Sequence, residues 1–443
     1  MRNISQRTKQ AIAIAVVAIF VGGVILTAGL ATYVPRGQTL RILGLPGDIM
    51  PQSVVKDFEK QIRKQSSGKF RVKYEVAESN DMIYDILTNE KKKEKDRDYD
   101  LVIVSERMAE KMFVNELLLP MELATTVRDR YAAEVINPLN AVFAEHSDDA
   151  KDKIFAVPYL YGTLGIMANP KKLVHSNAAG TTSGTTGDVI ITPEQLDEVR
   201  ASMKSWAALW DTKYTGKISM KNVARDSYTA ALLYHFKDEM NSELLKRITG
   251  KAPGAGAGTN RFLNVMDDAL KSQAALLSKQ YGYEVSAGKD SMADVRLNHL
   301  PAIGMYWSSD AGLVMPKNKN LEFYVPDEGS ALWVDSLVMS RYAKNKSVAL
   351  KFLDFISNKN NAIRIMKHTN TACAVTEARI QYSNDLKTQY AEEEEWVDRY
   401  LTALLPDGGV GAQNSVLDRC RLLRYLGEAS DTQIGKVWDA VKK

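Results

Sequence analysis

The chain has 443 residues, 45% of them hydrophobic, and a formal net charge of +4, which is enough apolar material and length for two domains and excludes global disorder. Arg2, Arg7, Lys9 and Arg36 account for the whole basic excess, so the chain beyond Arg36 is balanced and lacks the basic surplus of a nucleic-acid binder. With only Cys373 and Cys420, a disulfide framework and a cysteine metal site are excluded, while one bridge between the two stays open.

From Gln10 to Pro35 no residue is charged, and Ala11 to Ala31 is nearly continuous Ala, Val, Ile, Leu, Phe and Gly. As a helix rising about 1.5 Å per residue, that run spans roughly 30 Å, the thickness of a bilayer core. Arg2, Arg7 and Lys9 precede it, which predicts a membrane anchor with its amino terminus inside and the folded part outside. The alternative is a cleaved signal peptide, whose apolar core is usually about 7 to 15 residues, with Ala28, Gly29 and Ala31 open to a peptidase. No cysteine lies near the end of the run to carry a lipid. Either way the folded part is expected to be extracytoplasmic.

Leu40 to Leu45 predicts a strand that turns at Pro46 and Gly47, and Val54, Val55, Phe58 and Ile62 recur at helical spacing. Phe70 to Val76 alternates as a strand, Asp81 to Leu87 reads as a helix, and Lys91 to Arg97 as a solvated loop or frayed helix end. Tyr99 to Val104 is a continuous apolar run of the buried parallel type, ending at Ser105. Strands alternating with helices predict a parallel α/β sheet, whose ligands sit beyond the carboxyl ends of its strands, where Gly47, Asp48 and Ser105 fall.

Ile154 to Asn169, interrupted by Pro158 and Gly162, reads as two strand pieces with a short link. Ser176–Gly187 and Lys251–Asn260 are surface insertions by composition, and neither has the frame of a phosphate-cradling loop. Trp206 to Trp210 predicts a helix and Tyr214 to Met220 a strand ending near Asn222. Leu332 to Met339 is another strand. Lys346 to Phe355 is an amphipathic helix with Ala349, Phe352, Leu353 and Ile356 on one side, and Glu392 to Glu395 a solvated helix face.

Trp307 and Trp333 lie near Asp335 in a stretch rich in Gly and Ser, and aromatic faces beside a carboxylate suit an organic cation. His146, His175, His235, His299 and His368 are scattered without HExxH spacing, and no GxSxG elbow is present, so neither an enzyme, a metal nor a cofactor is expected.

The strings RILGLPGDIMPQSVVKDFEKQ, YEVAESNDMIYDIL, YDLVIVSERMAEKM, FAVPYLYGTLGIMANP, SWAALWDTKYTGKISMKNVARDSY and SLVMSRYAKNKSVALKFLDFISN, in this order and spacing, resemble the polyamine-binding branch of bacterial ABC-transporter solute-binding proteins. The resemblance spans most of the chain after the first forty residues. It implies an α/β fold of the periplasmic-binding-protein-like type II, with two lobes and a cleft between them. It divides the chain into an anchor or signal segment (1–36), lobe 1 (38–158 with 334–380) and lobe 2 (162–332 with 381–443). Ile154 to Asn169 becomes the first crossover between lobes and Leu332 to Met339 the second.

By the same resemblance, Asp48, Asp226 and Asp335 match acidic positions that receive amine ends, Trp307 and Trp333 the aromatic walls, and Ser105 a hydroxyl contact. Carboxylates offset the cost of stripping water from ammonium groups, and an indole face adds about 0.5 to 2 kcal/mol per cation. Each aspartate also has a plain role as a cap or turn residue, the tryptophans as core, and Ser105 as the cap of a helix beginning at Glu106. The chain departs from the pattern at Pro46 and Ile49, where an aromatic pair is expected, at Val223 in place of an acid and at Thr371 in place of a tyrosine. Arg107 stands where an aromatic is common. A guanidinium there repels an amine unless it pairs with an acid such as Asp48, and Tyr161 could supply a replacement ring. The expected partners are a spermidine- or putrescine-like ligand, an ABC permease and, through the first helix, a membrane. The alternatives are another small solute, cationic or held as an anion by Arg107, and a ligand-free ectodomain that docks on a permease.

Overall fold

A computed structural model describes residues 39–46, 49–66, 70–91, 93–178, 192–214, 218–220, 223–235, 302–406 and 416–441. The apolar run Ala11 to Ala31, Asp48 and the insertion Lys251–Asn260 lie outside these residues. No helix among the described residues is long and apolar enough to cross a membrane.

The first third of the chain alternates strand and helix as its periodicity predicts: β1 (Thr39–Gly44), α1 (Gln52–Ser66), β2 (Arg71–Val76), α2 (Asn80–Thr88), β3 (Leu101–Ser105) and α3 (Glu106–Val114). Two-residue β4 (Leu118–Leu119) and α4 (Ala133–Ala144) lead to β5 (Ala156–Ala168). Then come α5 (Pro170–Ala178), α6 (Pro193–Ser202), β6 (Ile218–Ser219), α7 (Ala224–His235), β7 (Ile303–Trp307), α8 (Ser308–Val314), β8 (Glu322–Tyr324) and β9 (Ser330–Ser340). The chain continues as α9 (Lys346–Ile356), α10 (Lys359–Thr369), β10 (Ala372–Cys373), α11 (Thr376–Gln389) and α12 (Glu394–Leu404), and closes with β11 (Cys420–Leu422) and α13 (Glu428–Val441).

The sheet runs β2-β1-β3-β9-β5-β7-β6, with β10 and β8 on β5 and β11 and β4 on β9. It is mixed: the parallel pairing expected from the strand-helix alternation holds for β1, β2 and β3, and the later strands add antiparallel pairs. β1 lies parallel to β2 and β3, but β9 is antiparallel to both β3 and β5. An apolar run reports burial on both faces, which a covered antiparallel strand shares with a parallel one.

The expected pair of strand pieces at Ile154 to Asn169 is one 13-residue strand, β5. Pro158 sits where the β5–β9 register shifts, so the missing N–H coincides with the skip in the ladder and the strand continues past it. The first part of β5 pairs with β9, and Leu164 to Ala168 pair with β7. Two apolar clusters follow this handover. The larger gathers Ile42, Val102, Phe143, Leu337, Phe352 and Trp396, and the smaller gathers Ile166, Trp206, Leu209, Tyr214, Ile303 and Ile434.

The helix α9 buries Ala349, Phe352, Leu353 and Ile356, the face read from its spacing. The segment Trp206–Trp210 is instead a 3-10 helix whose first indole donates to the Gly329 carbonyl at 2.9 Å, and the strand after it is only two residues long. A 3-10 turn at Glu94–Asp96 lies within the expected loop. Cys373 and Cys420 are both buried, and no disulfide joins them.

Candidate functional site

In β9 the positions on either side of Trp333 and Asp335 are buried, while these two are partly exposed, so both side chains leave the same face of the strand. Directly opposite them lie Ser105 on β3, facing Asp335, and Gly162 on β5, facing Trp333. Two residues further along β5, Leu164 faces Trp307 on β7. Cross-strand partners share a face, so the register alone brings Ser105, Asp335, Trp333 and Trp307 to one side of the sheet.

Gly162 makes room in this row. A Cβ there would stand 2.1 Å from Ser308 Oγ and 2.6 Å from the Trp333 ring, so the indole lies across β5 where no side chain rises. Trp333 Nε1 donates to the Thr163 carbonyl at 3.3 Å, and Thr163 N donates to Ser308 Oγ at 3.1 Å, which fixes the ring against the start of α8. Trp307 Nε1 donates to Asp226 Oδ2 at 2.7 Å, tying the buried carboxylate of α7 to the same wall.

The row also holds two carboxyls with raised pKa. Burial pushes Asp335 up to about 7. Burial pushes Glu106 up to about 8, against the hydrogen bond its carboxylate accepts from Val334 N at 2.8 Å, and the nearby Asp335 adds to the rise. Glu106, which the sequence marks only as the start of a helix, is a further site candidate. Ser105 has its plain role as well: its Oγ accepts from Met108 N at 3.4 Å and caps α3.

Arg107 does pair with an acid, but with a distant one. Its Nη1 donates to Asp431 Oδ2 of α13 at 2.9 Å. Arg225, beside Asp226, donates from Nη2 to the Arg424 carbonyl at 3.1 Å, and its Nε and Nη1 are buried with no hydrogen-bond partner among the described residues. Burial, followed by the positive charge of Arg107, lowers Arg225 to about 10.

Tyr161 does not join the row. It faces Val334, on the opposite side of the sheet from Trp333, is fully buried, and its hydroxyl accepts from Arg379 Nη1 at 2.6 Å. One step along a strand reverses the face, and the proposal of Tyr161 as a replacement ring is corrected on that ground.

The segment after β11 runs against α3. Glu110, with a side chain 2% exposed, accepts from Arg424 Nη2 at 2.7 Å, Tyr425 N at 2.7 Å and His146 Nε2 at 2.8 Å. Burial alone would raise its pKa, and the bonds from His146 and Arg424 bring it below the usual carboxylate range. Its stabilising contribution is therefore present at neutral pH and lost as pH falls below that range towards the lowered folded-state value. Glu110→Ala leaves the Arg424 guanidinium with Glu145 alone, at 2.9 Å, and the Tyr425 N–H without its acceptor, and is expected to cost about 1 to 3 kcal/mol in urea unfolding at pH 7. A cost under about 1 kcal/mol would mean that the network adds nothing to the fold.

A family model described as "Bacterial extracellular solute-binding protein" matches residues 53–389. The "Spermidine/putrescine-binding periplasmic protein" of Escherichia coli (strain K12) is 24% identical over 311 residues, 70% of each chain. The "Putrescine-binding periplasmic protein PotF" of the same organism is 24% identical over 350 residues, 79% of this chain and 81% of that one. Among solved structures, a "Putative spermidine/putrescine ABC transporter from Listeria monocytogenes" superposes with a TM-score of 0.60 at 19% identity, covering 91% of this chain and 99% of the other.

Proposed function

Since the chain belongs to the bacterial extracellular solute-binding protein family, we propose that its cleft captures a small polyamine, spermidine or putrescine, and delivers it to an ABC permease. It is a receptor rather than an enzyme, and it works outside the cytoplasm. The observation that carries the ligand reading is the row on one sheet face: Asp335 beside Trp333, and Trp307 bonded to Asp226. Carboxylates at the two ends answer two ammonium groups, and indole faces between them cover the methylene chain. Asp48, four residues after the end of β1, is proposed as a third acid.

The proposed division has lobe 1 at 38–158 with 334–380 and lobe 2 at 162–332 with 381–443, with β5 and β9 as the crossing strands. Ser105 and Asp335 then lie nearer lobe 1, and Asp226 and Trp307 on lobe 2. A ligand touching both favours the closed arrangement, which a permease reads. Residues 1–36 are proposed to tether the receptor to the membrane. A second reading, a solute that also carries an anionic group, is favoured by Arg225 Nε and Nη1, which are buried without a hydrogen-bond partner among the described residues.

Titration calorimetry with spermidine, putrescine, amino acids and thiamine separates these readings. Heat with spermidine or putrescine supports the first. Heat with amino acids alone supports the second.

A further inference from the structure

We propose that Asp431, carried on the C-terminal helix α13, determines the charge selectivity of the cleft by neutralising Arg107. Arg107 is the second residue of α3, directly after the Ser105–Glu106 corner that faces Asp335, so its charge stands at the rim of the proposed cation site. Its partner comes from the far end of the chain, at 2.9 Å, with the two side chains 23% and 20% exposed. At that degree of cover the pair is screened less than a surface ion pair, and an unpaired guanidinium would act on the cleft at short range.

Asp431 is held there by the rest of its segment. Glu110 takes Arg424 and Tyr425 N, and Lys111 Nζ pairs with Glu428 at 2.7 Å, so two successive α3 residues hold the segment just before Asp431. Three residues after Asp431, α13 buries Ile434 in the smaller apolar cluster. The charged groups acting on this point are Glu106 and Glu428, which feel Arg107, and Arg225, which feels both Arg107 and Asp431. Without the Asp431 charge, two guanidiniums, one from each proposed lobe, would lose the acid that acts on both of them. Such a pair suits a carboxylate.

The cation half of this inference rests on the polyamine reading, and the anion half does not. Full-length wild type, Asp431→Asn and the double variant Arg107→Gln/Asp431→Asn are each titrated with spermidine and with succinate, after circular dichroism shows that they are folded. Asp431→Asn is expected to bind spermidine about tenfold or more weakly and to gain succinate binding that wild type lacks. The double variant is expected to recover most of the spermidine affinity and to lose the succinate binding. That recovery separates neutralisation of Arg107 from a merely structural role for Asp431. Wild-type spermidine affinity in Asp431→Asn, or no recovery in the double variant, would overturn the inference. If wild type binds no polyamine, the polyamine reading fails, and the succinate arm decides alone: no succinate binding by Asp431→Asn overturns the inference.

Discussion

Asp335→Asn is expected to weaken spermidine binding by about tenfold or more at pH 8 and to flatten its dependence on pH. In the ligand-free protein burial holds the Asp335 carboxyl near 7, so at pH 6 most of it is protonated and a cation must displace that proton to find its counter-charge. Wild-type affinity should therefore rise about tenfold from pH 6 to pH 8, with a proton released on binding below pH 7. Glu106, raised to about 8 mainly by burial, is pushed further in the same direction by the Asp335 charge. Calorimetry in buffers of different ionisation heat measures the proton count directly. A flat wild-type profile, or an unchanged affinity in the variant, removes Asp335 from the site.

The same carboxyl makes a prediction of opposite sign for stability. A folded-state pKa above the unfolded one adds stability that is fully present below about pH 4 and lost as pH rises through about 7. Ligand-free Asp335→Asn should then match wild type near pH 4 and become the more stable of the two by pH 8. Urea denaturation at the two pH values checks this. The site costs the empty receptor stability that a bound cation restores.

Gly162→Val is expected to reduce spermidine affinity about as severely, though it removes no polar group. A side chain at this point meets Ser308 Oγ and the Trp333 ring, so the indole must leave its place across β5 and the β5–α8 contact must open. Overpacking of this kind costs about 1 to 3 kcal/mol of stability, and the displaced wall costs binding in addition. Gly162→Ala should show the same effects in smaller measure. Tryptophan emission in both variants should report a more exposed ring, and an emission spectrum unchanged from wild type together with full affinity would show that the wall does not depend on this gap.

Much of the architecture is legible in the residues. The helix face Ala349, Phe352, Leu353 and Ile356 is buried as its spacing demands, and β3 ends at the Ser105 corner where the apolar run stops. Trp333 and Asp335, two apart on one strand, had to share a face wherever that strand lay. The parallel direction of β1, β2 and β3 was legible in the strand-helix alternation, whereas the antiparallel β9 was not, because an apolar run has the same composition in a covered antiparallel strand as in a parallel one. The continuity of β5 through Pro158 was also hidden, since only the partner strand shows where the ladder can skip a donor.

Among the site residues, Glu106 had a local signal that could have been used: a carboxylate between Ser105 and Arg107 at the end of a buried strand. Asp431 had none, because the ion pair it makes joins positions separated by almost the whole folded chain. Tyr161 was misread because its identity suits a ring contact, whereas its side of the strand is set by the β5–β9 register.

Local chemistry therefore determined the secondary elements, the absence of a catalytic motif and the presence of acids and indoles fit for a cation, since propensity, periodicity and side-chain type are properties of neighbouring residues. The tertiary structure alone decided which of those acids and rings meet, which face Tyr161 takes and what neutralises Arg107. Cross-strand register and contacts between remote segments set these, and neither is written in any short stretch of the chain.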